Sequence, residues 1–552
     1  MAFRMEGVPS ILVPQIPAPE SPGPCPVCRR ADTVFDEWRQ IAYWQAMHGR
    51  AVEREGRAKV RIKELEAQVR LLNQKIFGPS SESKSGPESA ASSRPAVPER
   101  RRGQQPGRPI PPQRKHDHLP AVEEVRDLPE GERLCGCCGL PFAEFPGTED
   151  SEILEVEVKS HRRVVRRRRY KPACSCPGNP PIVAATPAPR VFPKCRVGTS
   201  IWALVLMDKY LFQRPTHRLL AELRTFDLDL SLGTVTDGLK RLEPLFAPLY
   251  EALVERSQGL SFWHADETRW QVFATREGKA GFRWYLWVFH GEDCVVFVLS
   301  PTRAHEVPEE HFGENAAGVL VVDRYSAYKA IGQVKNGQIV LAFCWAHVRR
   351  DFLRVEKGNP EHAAWAAEWV GRIGLLYHRN DQRVEAIEAA APQDAPKATE
   401  QERLLHAHAE AMAKQRDEEL ASPDLPLAKK KVLESLKEHW SGLTVFLDRP
   451  EVPMDNNVAE RAQRGPVVGR KNYYGSGSEW SGRLAAMLFS LFQTIALADL
   501  NPRLWLTAYL DACAAAGGTV PPDPERFLPW NLSDEQKREW ATDRKPPAPD
   551  SS

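Results

Sequence analysis

The chain has 552 residues, enough for about three or four domains of roughly 150 residues each. Hydrophobic residues make up 42% of it and aromatic residues 9%, as in globular proteins, and no run approaches the roughly 18–20 apolar residues that a membrane-spanning helix needs. The 75 Lys and Arg nearly balance the 73 Asp and Glu, so any preference for a charged partner must come from local clusters. The N-terminal residues lack the segments of a secretory signal, so we expect a cytoplasmic protein whose 11 cysteines are thiols or metal ligands.

The first part of the chain contains one helical segment between two regions without an apolar period. Residues 1–49 form an N-terminal extension that carries Cys25 and Cys28, a CxxC pair without an evident partner pair. Residues 50–77 are expected to form a short coiled-coil helix that assists self-association, because apolar residues recur at alternating steps of three and four. The repeat consists of Ile62, Leu65, Val69, Leu72 and Ile76. An ordinary amphipathic helix fits so short a repeat as well. Residues 78–133 are predicted to be a basic linker.

A compact cysteine region follows at residues 134–178. Cys135 and Cys138 form a CxxC pair, and Cys174 with Cys176 supplies a second close pair. Four thiolates arranged in two close pairs can complete a tetrahedral site for Zn²⁺, and a site closed in this way is structural. The pattern therefore predicts a zinc-ribbon DNA-binding domain. Cys137 is an alternative ligand, and free thiols are the alternative to a metal site.

A basic run lies between the two cysteine pairs. From Lys159 to Lys171 the chain carries eight Lys and Arg and no acidic residue. Such clustering is typical of proteins that bind the DNA phosphate backbone, although a solvated basic surface has the same composition. We expect the arginines to occupy a strand and to contact phosphates rather than bases. The candidates are Arg162, Arg163, Arg166, Arg167, Arg168 and Arg169.

The remaining chain is predicted to contain a helical domain at residues 179–259, an α/β domain at 260–510 and a C-terminal tail at 511–552. In the α/β domain, three apolar strands in succession are followed by helix, strand, helix and strand. This order is typical of a ribonuclease H-like fold. A charged helical insertion is expected at about 351–450. The overall prediction is a multidomain α/β protein in which a coiled-coil helix, a zinc ribbon and a helical domain precede the ribonuclease H-like domain.

Three acidic residues form the candidate catalytic set. Asp266 and Asp323 each end a predicted strand, and Glu460 lies near the start of a predicted helix. Carboxylates at the C-terminal edge of a sheet, together with a helical glutamate, can hold two Mg²⁺ or Mn²⁺ ions about 4 Å apart, which suits phosphoryl transfer. Taken singly, a strand-end aspartate often forms a turn and a helix-start glutamate interacts with the helix dipole.

Other residues near these acids are candidates for DNA ligands or for structural groups. Cations there can hold DNA phosphates or form salt bridges with helical acids. These cations are Arg349, Arg350, Arg464, Arg470 and Lys471. His264 precedes Asp266 by two residues and is interpreted as structural. Trp270, Trp284 and Trp287 are expected in the core.

Several motifs resemble the insertion-sequence-66 family of bacterial transposases. They are KIFGPSSE, RRGQQPGRP, the cysteine region, HADET, DRYSAY, CWAHVRRDF, DNNVAER and GRKNYYGSGS, in the order of the family. The resemblance implies a catalytic domain with Asp266, Asp323 and Glu460 as its Asp-Asp-Glu triad. It also implies a DNA transposase that binds element ends, cleaves phosphodiesters and transfers the 3′-hydroxyl ends to target DNA. The CxC pair, the linker sequence and the N-terminal CPVC extension depart from the family pattern.

Two other functions remain as alternatives. A ribonuclease H-like nuclease would cut DNA without joining it, and a catalytically inactive zinc-ribbon regulator would only bind DNA. The expected partners are element-end and target DNA, a second copy of the chain and accessory proteins of the same element. We expect a cytoplasmic location with nucleoid association when the protein is bound to DNA, and no membrane partner.

Overall fold

The computed structural model describes residues 26–77, 182–275, 281–388 and 395–542, together with scattered residues between 122 and 180. The chain divides into two compact units. The first comprises the described parts of residues 1–80, 246–501 and 525–542, and the second those of 81–245 and 502–524. The result is a mixed α/β protein, as the sequence predicts. In the described part of the chain, no helix is long and apolar enough to cross a membrane.

The second unit is mainly helical. Its elements are β1 (Arg169–Tyr170), β2 (Val183–Ala184), α2 (Thr199–Leu206), α3 (Thr216–Thr225), the first part of α4 (Leu232–Gln258) and α16 (Pro502–Ala515). A π-helical segment, Met207–Leu211, continues α2. β1 and β2 pair antiparallel.

The first unit is built on a five-stranded sheet, and all five predicted strands are present. They are β3 (Phe262–Gln271), β4 (Arg283–His290), β5 (Val295–Ser300), β6 (Gly318–Val322) and β7 (Ile339–Phe343). Their β-branched and aromatic residues favour extended chain, and most are buried. The order across the sheet is β5-β4-β3-β6-β7. β4 pairs antiparallel with both β3 and β5, whereas β6 pairs parallel with β3 and β7 pairs parallel with β6. Trp270, Trp284 and Trp287 are buried, which confirms that they belong to the core.

Helices accompany the sheet in chain order. They are α5 (Glu306–Phe312), α6 (Ser326–Ala330), α7 (Gly332–Lys335), α8 (Trp345–Gly358), α9 (Ala363–Glu388), α10 (Ala395–Leu420), α11 (Leu427–Glu438), α12 (Trp440–Leu443), α13 (Val445–Asp448), α14 (Asn457–Tyr473), α15 (Glu479–Leu497) and α17 (Asp534–Glu539). α17 lies within the stretch expected to be a tail, and next to it Leu500 forms a β-bridge with Ala541.

The edge strand β5 is covered by α15. The main-chain N–H groups of Val295 and Phe297 donate to the hydroxyls of Thr494 and Ser490 at 3.0 and 2.8 Å. Ser490 and Thr494 are four residues apart and therefore lie on one face of α15. These bonds satisfy buried donors that have no neighbouring strand on that side.

The segment between β7 and α14 is helical, as expected for the insertion. Its buried core includes Trp369, whose ring stacks on that of Phe352 at 5.3 Å between centroids. The insertion also packs against the outer strand β7: a Cβ built on Gly442 of α12 would lie 2.4 Å from the ring of Phe343 and 2.9 Å from the carbonyl oxygen of Leu341. Only a glycine allows so close an approach at this position.

Helix α1 (Pro26–Phe77) is much longer than the segment predicted from its apolar repeat. Its last turns contact α8, and Arg70 donates to the carbonyl oxygen of Gly358 at 2.6 Å. The repeat residues Ile62, Leu65, Val69 and Leu72 each remain more than two-fifths exposed. The sequence underestimated the helix because its first half exposes large aromatic residues, such as Trp38 and Trp44, without an apolar period.

Candidate active site

Asp266 and Asp323 lie on neighbouring parallel strands. The parallel pairing of β3 with β6 ends at His264 and Val321. Continuing that register by two residues places Asp266 beside Asp323, which directly follows β6. Residues in register on adjacent strands project to the same face of the sheet. The two carboxylates therefore meet at the edge where β6 ends.

The position of Asp266 differs from the sequence prediction. The sequence predicts that Asp266 ends its strand, but β3 continues to Gln271 because its pairing with β4 extends over His264–Gln271. The parallel neighbour β6 stops earlier, so Asp266 lies beyond the last residue that pairs with β6. An aspartate in the middle of a strand thus still reaches the open edge of the parallel pair.

The environment of Asp266 opposes its negative charge. Burial is the largest cause that raises its pKa, to about 8, and the nearby carboxylates of Glu267, Asp323 and Glu460 contribute. The N–H of Glu267 opposes this shift through a hydrogen bond. A carboxyl group with so high a pKa is the sign of several like charges gathered in one poorly solvated place.

Asp323 is oriented by its own turn. The main-chain N–H of Tyr325 donates to Oδ1 of Asp323 at 2.8 Å, which is the pattern of an Asx turn. The side chain is partly exposed. The turn also begins helix α6, so the strand end and the following helix together hold the carboxylate in place.

Glu460 is held against the sheet by two amide side chains of its own helix. Asn456, the residue before α14, donates to the carbonyl oxygen of Ala265 at 2.7 Å. Gln463 donates to the carbonyl oxygens of Leu286 at 3.1 Å and of Asp266 at 3.3 Å. Glu460 lies four residues after Asn456 and three before Gln463, hence on the same face. α14 therefore directs the carboxylate of Glu460 toward the sheet edge that carries Asp266 and Asp323.

His264 has a structural role, in agreement with its interpretation from the sequence. Its ring is buried, and Nδ1 lies 3.0 Å from Oδ1 of Asn456. Because the amide of Asn456 already donates to Ala265, its oxygen accepts and Nδ1 of His264 carries the proton. Burial is the main reason that the pKa of His264 is lowered to about 4. The neutral ring thus secures the start of α14 to β3.

Glu460 forms an ion pair with Arg350 that the sequence did not predict. Nη2 of Arg350 donates to both carboxylate oxygens of Glu460, at 3.0 and 3.1 Å. Nη1 of Arg350 lies 3.2 Å from Nε2 of His347. A guanidinium only donates, so Nε2 accepts and Nδ1 of His347 carries the proton, facing Glu460 Oε1 at 3.9 Å. Arg350, predicted to contact DNA, is here a partner of the acidic site.

A second set of potential metal ligands shares Glu460. One ligand atom each from Cys344, His347 and Glu460 lies within 4.8 Å of the others. Cys344 is fully buried, and its sulfur accepts the N–H of Asn456 at 3.3 Å. Burial is the largest cause that raises the pKa of the Cys344 thiol. Sulfur and imidazole favour softer metals than do the carboxylates of Asp266 and Asp323.

Glu267, next to Asp266, faces the opposite side of the sheet, where its buried carboxylate is paired with the partly exposed Arg303. Its side chain is 2% exposed and its carboxylate accepts from the guanidinium of Arg303. The hydroxyl of Tyr328 donates to the other oxygen at 2.6 Å. Arg303 in turn stacks on the ring of Tyr325 at 3.8 Å. This cluster connects the HADET segment of β3 to the DRYSAY segment that follows β6, on the face of the sheet opposite Asp266. The sequence analysis did not identify it. The alternation of side chains along a strand could have placed Glu267 opposite Asp266.

The predicted DNA-contacting cations of α14 divide into two groups. Arg464 and Lys471 are exposed. Arg470 is half-buried and donates to Oγ1 of Thr268 at 3.1 Å and to the carbonyl oxygen of Arg269, so it secures α14 to β3. Arg349, on α8, is partly buried and has a partner within the chain. Arg464 and Lys471 are thus the cations of this set that face solvent.

The first half of the predicted zinc site is a tight turn. Gly139, with φ of +73°, donates its N–H to the carbonyl oxygen of Cys135 at 2.8 Å, and the N–H of Cys135 donates to Leu140 at 2.8 Å. N–H groups and thiols of Cys137 and Cys138 lower the pKa of the Cys135 thiol. This turn places several thiols close together. Cys174 and Cys176 lie outside the described residues, and so does Cys25.

The basic run is exposed along its length, from Lys159 to Lys171. The prediction that it forms a regular strand is wrong for most of it, because β1 includes only Arg169 and Tyr170. β2 offers only two residues to pair with, so the preceding arginines have no ladder to join. The guanidinium of Arg167 donates to the carbonyl oxygen of Ala185. The other described arginine side chains of the run extend into solvent.

Comparison with known proteins gives a family. Residues 194–484, which include the sheet and all three candidate acids, match the model of the Transposase IS66 family. Uncharacterized protein y4jD of Sinorhizobium fredii is 28% identical over 435 residues, covering 76% of this chain and 81% of its own length. Uncharacterized protein y4hP of the same organism is 25% identical over 417 residues, covering 70% and 72%. The family match spans more than half of the chain, which therefore belongs to the IS66 family of transposases.

Proposed function

We propose that the chain cleaves phosphodiesters at the ends of a DNA element and joins the resulting 3′-hydroxyls to target DNA. The observation that carries the proposal is the convergence of Asp266, Asp323 and Glu460 at one sheet edge, although Glu460 is far from the aspartates in sequence. The order β5-β4-β3-β6-β7 supports a ribonuclease H-like classification of this domain. The family match supports the transposase role.

The three carboxylates suit two Mg²⁺ or Mn²⁺ ions. Carboxylate oxygens are the ligands that these cations prefer. Burial first, and then the neighbouring carboxylates, raise the pKa of Asp266, and bound cations would relieve the repulsion among these carboxylates. When bound, such ions activate the attacking water or 3′-hydroxyl and neutralise charge on the phosphate. The Cys344 and His347 set is a poorer match for Mg²⁺.

The side chains around the acids have separate roles in this proposal. The turn at Asp323 and the amides of Asn456 and Gln463 hold the carboxylates in a fixed arrangement, so little reorganisation precedes the reaction. Arg350 balances the charge of Glu460 in the protein without DNA. Exposed Arg464 and Lys471 supply charge for the phosphates of the bound strands.

A strand-transfer assay distinguishes a transposase from a nuclease of the same fold. The substrate is a duplex that carries the inverted end sequence found beside the gene, mixed with supercoiled plasmid and Mg²⁺ or Mn²⁺. We expect products in which the 3′ end of the duplex is covalently joined to the plasmid, because one acidic site can use water first and the 3′-hydroxyl next. Cleavage without joined product would favour the nuclease, and binding without cleavage would favour the inactive regulator.

We also propose that the cysteine region is a zinc ribbon and that the basic run beside it binds DNA phosphates. The turn at Cys135–Gly139 and the lowered pKa of the Cys135 thiol favour thiolate ligation. The exposure of the basic run favours phosphate contacts. The partner pair, Cys174 and Cys176, is proposed from the sequence.

Metal analysis of the full chain tests the zinc ribbon. We expect one zinc per chain in the wild type, and loss of that zinc in the Cys135→Ser variant, because one missing thiolate opens a closed site. Cys137→Ser is the matched control and should retain zinc if Cys138 is the second ligand of the first pair. A zinc-free wild-type chain purified without chelators would contradict the proposal.

We also propose that the chain has the domain boundaries predicted from its sequence, associates with a second copy of itself and is located in the cytoplasm. The exposed repeat of α1 supports self-association through a second copy, since an apolar seam in solvent is stabilised by pairing. Accessory proteins of the same element and nucleoid association follow from the proposed activity.

A further inference from the structure

Cys344 belongs to the same row of the sheet edge as the two aspartates. β7 ends at Phe343, which pairs with Val322 of β6, so the next residues along these strands, Cys344 and Asp323, continue the register. The N–H of Cys344 donates to the carbonyl oxygen of Val322 at 3.0 Å, as this register requires. Residues in register on adjacent strands project to the same face of a sheet. The row across the edge is therefore Asp266, Asp323 and Cys344.

The sulfur of Cys344 accepts several main-chain hydrogen bonds. Cys344 is fully buried at the point where α8 begins. The N–H of Asn456 donates to its sulfur at 3.3 Å, and the N–H groups of His347 and Ala346 also hydrogen-bond to it. Because the sulfur of a thiol is a weak acceptor, three donors on one sulfur suit a thiolate better. A buried thiolate in turn needs a cation beside it.

One ring nitrogen of His347 is buried beside Glu460 without a hydrogen-bond partner. Within the part of the chain that the structure describes, Nδ1 has no partner, and Oε1 of Glu460, at 3.9 Å, is too far away for a hydrogen bond. Buried polar atoms without a partner are uncommon, and an ion that binds there is one explanation. Cys344, His347 and Glu460 bring one ligand atom each within 4.8 Å of one another. Ligands of one tetrahedral Zn²⁺ lie about 3.5 Å apart, so shifts of about 1 Å complete such a set.

A cation already lies between two of these three side chains. Nη2 of Arg350 donates to both carboxylate oxygens of Glu460, and its Nη1 lies 3.2 Å from Nε2 of His347. The guanidinium thus gives Glu460 the positive charge that a metal ion would otherwise supply. The side chain of Arg350 is 33% exposed, so it can turn toward solvent when another cation replaces it.

We propose that Cys344, His347 and Glu460 bind Zn²⁺, and that this ion inhibits Mg²⁺-dependent cleavage by withdrawing Glu460 from the acidic site. Thiolate, imidazole and carboxylate are all ligands of Zn²⁺, and water can fill the fourth position from the partly exposed side of His347 and Glu460. Sulfur and nitrogen ligands favour Zn²⁺ over Mg²⁺. The inhibition rests on the proposed function, whereas the binding of Zn²⁺ does not.

Binding of the ion changes the protonation of two ligands and the position of Arg350. The thiol of Cys344 releases its proton to solvent. Nδ1 of His347 exchanges its proton for the metal, and Nε2 takes up the ring proton, so Nε2 no longer accepts from Arg350. Arg350 loses its contacts with His347 and Glu460 together. Arg350 and the metal therefore compete, and the site is expected to fill only when Zn²⁺ is added.

Zn²⁺ titration of the full chain tests the binding. The proposed zinc ribbon is loaded first, and free metal is then followed with a chromophoric chelator. We expect the wild type to bind one more Zn²⁺ per chain than the Cys344→Ala variant. Cys344→Ala and His347→Ala should each weaken this binding by about 100-fold or more, because even partners outside a ligand set change metal affinity by about 10- to 100-fold. Cys294→Ala removes an equally buried thiol and is the matched control, which should bind as the wild type does.

Two further measurements identify the ligands and the competitor. Co²⁺ in place of Zn²⁺ should give a sulfur-to-metal absorption band in the near ultraviolet that is weaker in Cys344→Ala than in the wild type. Arg350→Ala should bind Zn²⁺ about 2- to 5-fold more tightly than the wild type, as expected when a partly exposed ion pair no longer competes. Weaker binding in Arg350→Ala would show that the guanidinium supports the site instead of competing for it, and would contradict the proposed exchange.

Cleavage of an end-sequence duplex tests the inhibition. At a fixed Mg²⁺ concentration, a much smaller concentration of Zn²⁺ should stop cleavage by the wild type. For Cys344→Ala, the Zn²⁺ concentration that halves the rate, measured against the variant's own rate in Mg²⁺, should rise by about tenfold or more. Cys294→Ala should keep the sensitivity of the wild type.

The proposed site is overturned if the wild type binds no more Zn²⁺ than Cys344→Ala and His347→Ala do. His347 is partly exposed, so its variant provides the comparison even if Cys344→Ala fails to fold. Equal Zn²⁺ sensitivity of cleavage in the wild type and Cys344→Ala overturns the inhibition. A chain that binds Zn²⁺ through Cys344 but cleaves no duplex in Mg²⁺ contradicts the proposed chemistry, and with it the inhibition, but not the Zn²⁺ site.

Discussion

We expect Asp266→Asn, Asp323→Asn and Glu460→Gln each to lower metal-dependent DNA cleavage by about a thousandfold or more. Each substitution replaces a charged oxygen ligand with a neutral amide of nearly the same shape, which removes charge stabilisation where the phosphate reacts. Cleavage of an end-sequence duplex in Mg²⁺ and in Mn²⁺ measures the loss. Gel-shift affinity for the same duplex should stay near that of the wild type, because DNA-binding groups remain in place.

The stability of the variants provides an independent check. The pKa of Asp266 is raised by burial and by three neighbouring carboxylates, so its ionised form is unfavourable in the folded chain. Asp266→Asn should therefore raise the melting temperature of the metal-free protein even as it abolishes cleavage. An Asp266→Asn variant that cleaves at the wild-type rate would remove this residue from the catalytic set.

The second large effect is expected at Glu267. Glu267→Ala removes the buried carboxylate and leaves the Arg303 guanidinium and the Tyr328 hydroxyl without their acceptor. We expect a loss of about 2 kcal/mol in the free energy of unfolding, because the fully buried Tyr328 hydroxyl loses its acceptor, whereas the Arg303 side chain is 41% exposed and can be solvated. Urea denaturation followed by tryptophan fluorescence measures it.

Two controls test the reason for this loss. Glu267→Gln keeps one acceptor oxygen, and its NH2 group can donate to the hydroxyl oxygen of Tyr328, so it should lose clearly less stability than Glu267→Ala. Lys329 lies on the same helix as Tyr328 and forms an ion pair with Glu438 at the surface. Lys329→Ala removes this pair and should lower the free energy of unfolding by less than about 1 kcal/mol. Equal stability losses for Glu267→Ala and Lys329→Ala would show that the cluster beneath the site contributes little.

The strands and two of the three acids could be predicted from the sequence, because each produces a pattern in a short stretch of the chain. Apolar runs ending near an aspartate predict Asp266 and Asp323 at a sheet edge without any knowledge of pairing. The length of β3 could not be predicted, because the residues after Asp266 are held in the strand by pairing with β4. The register of that pairing depends on the tertiary structure. The same limit applies to α1, whose first half lacks an apolar repeat.

The charge balance of the site was the least predictable part. Arg350 follows a strand in a basic motif, and its sequence context suits a DNA phosphate as well as an acidic partner. Only the fold brings it to Glu460, which lies on a helix that follows the whole helical insertion. Likewise, the contact of Asn456 with His264 depends on where α14 meets β3. Such pairs between distant segments leave no periodic signal in the chain.

Helices cover both edge strands of the central sheet, β5 and β7. On one side, the hydroxyls of Thr494 and Ser490 accept the outward N–H groups of Val295 and Phe297 in β5, and on the other, Gly442 brings the main chain of α12 against β7. A strand of another chain adds to a sheet by bonding to free main-chain N–H and C=O groups at its edge. Covering the edge strands with helices hinders this addition, which is a first step toward ordered aggregates. Any association between copies of this protein is therefore expected to use helices and side chains rather than the margins of this sheet.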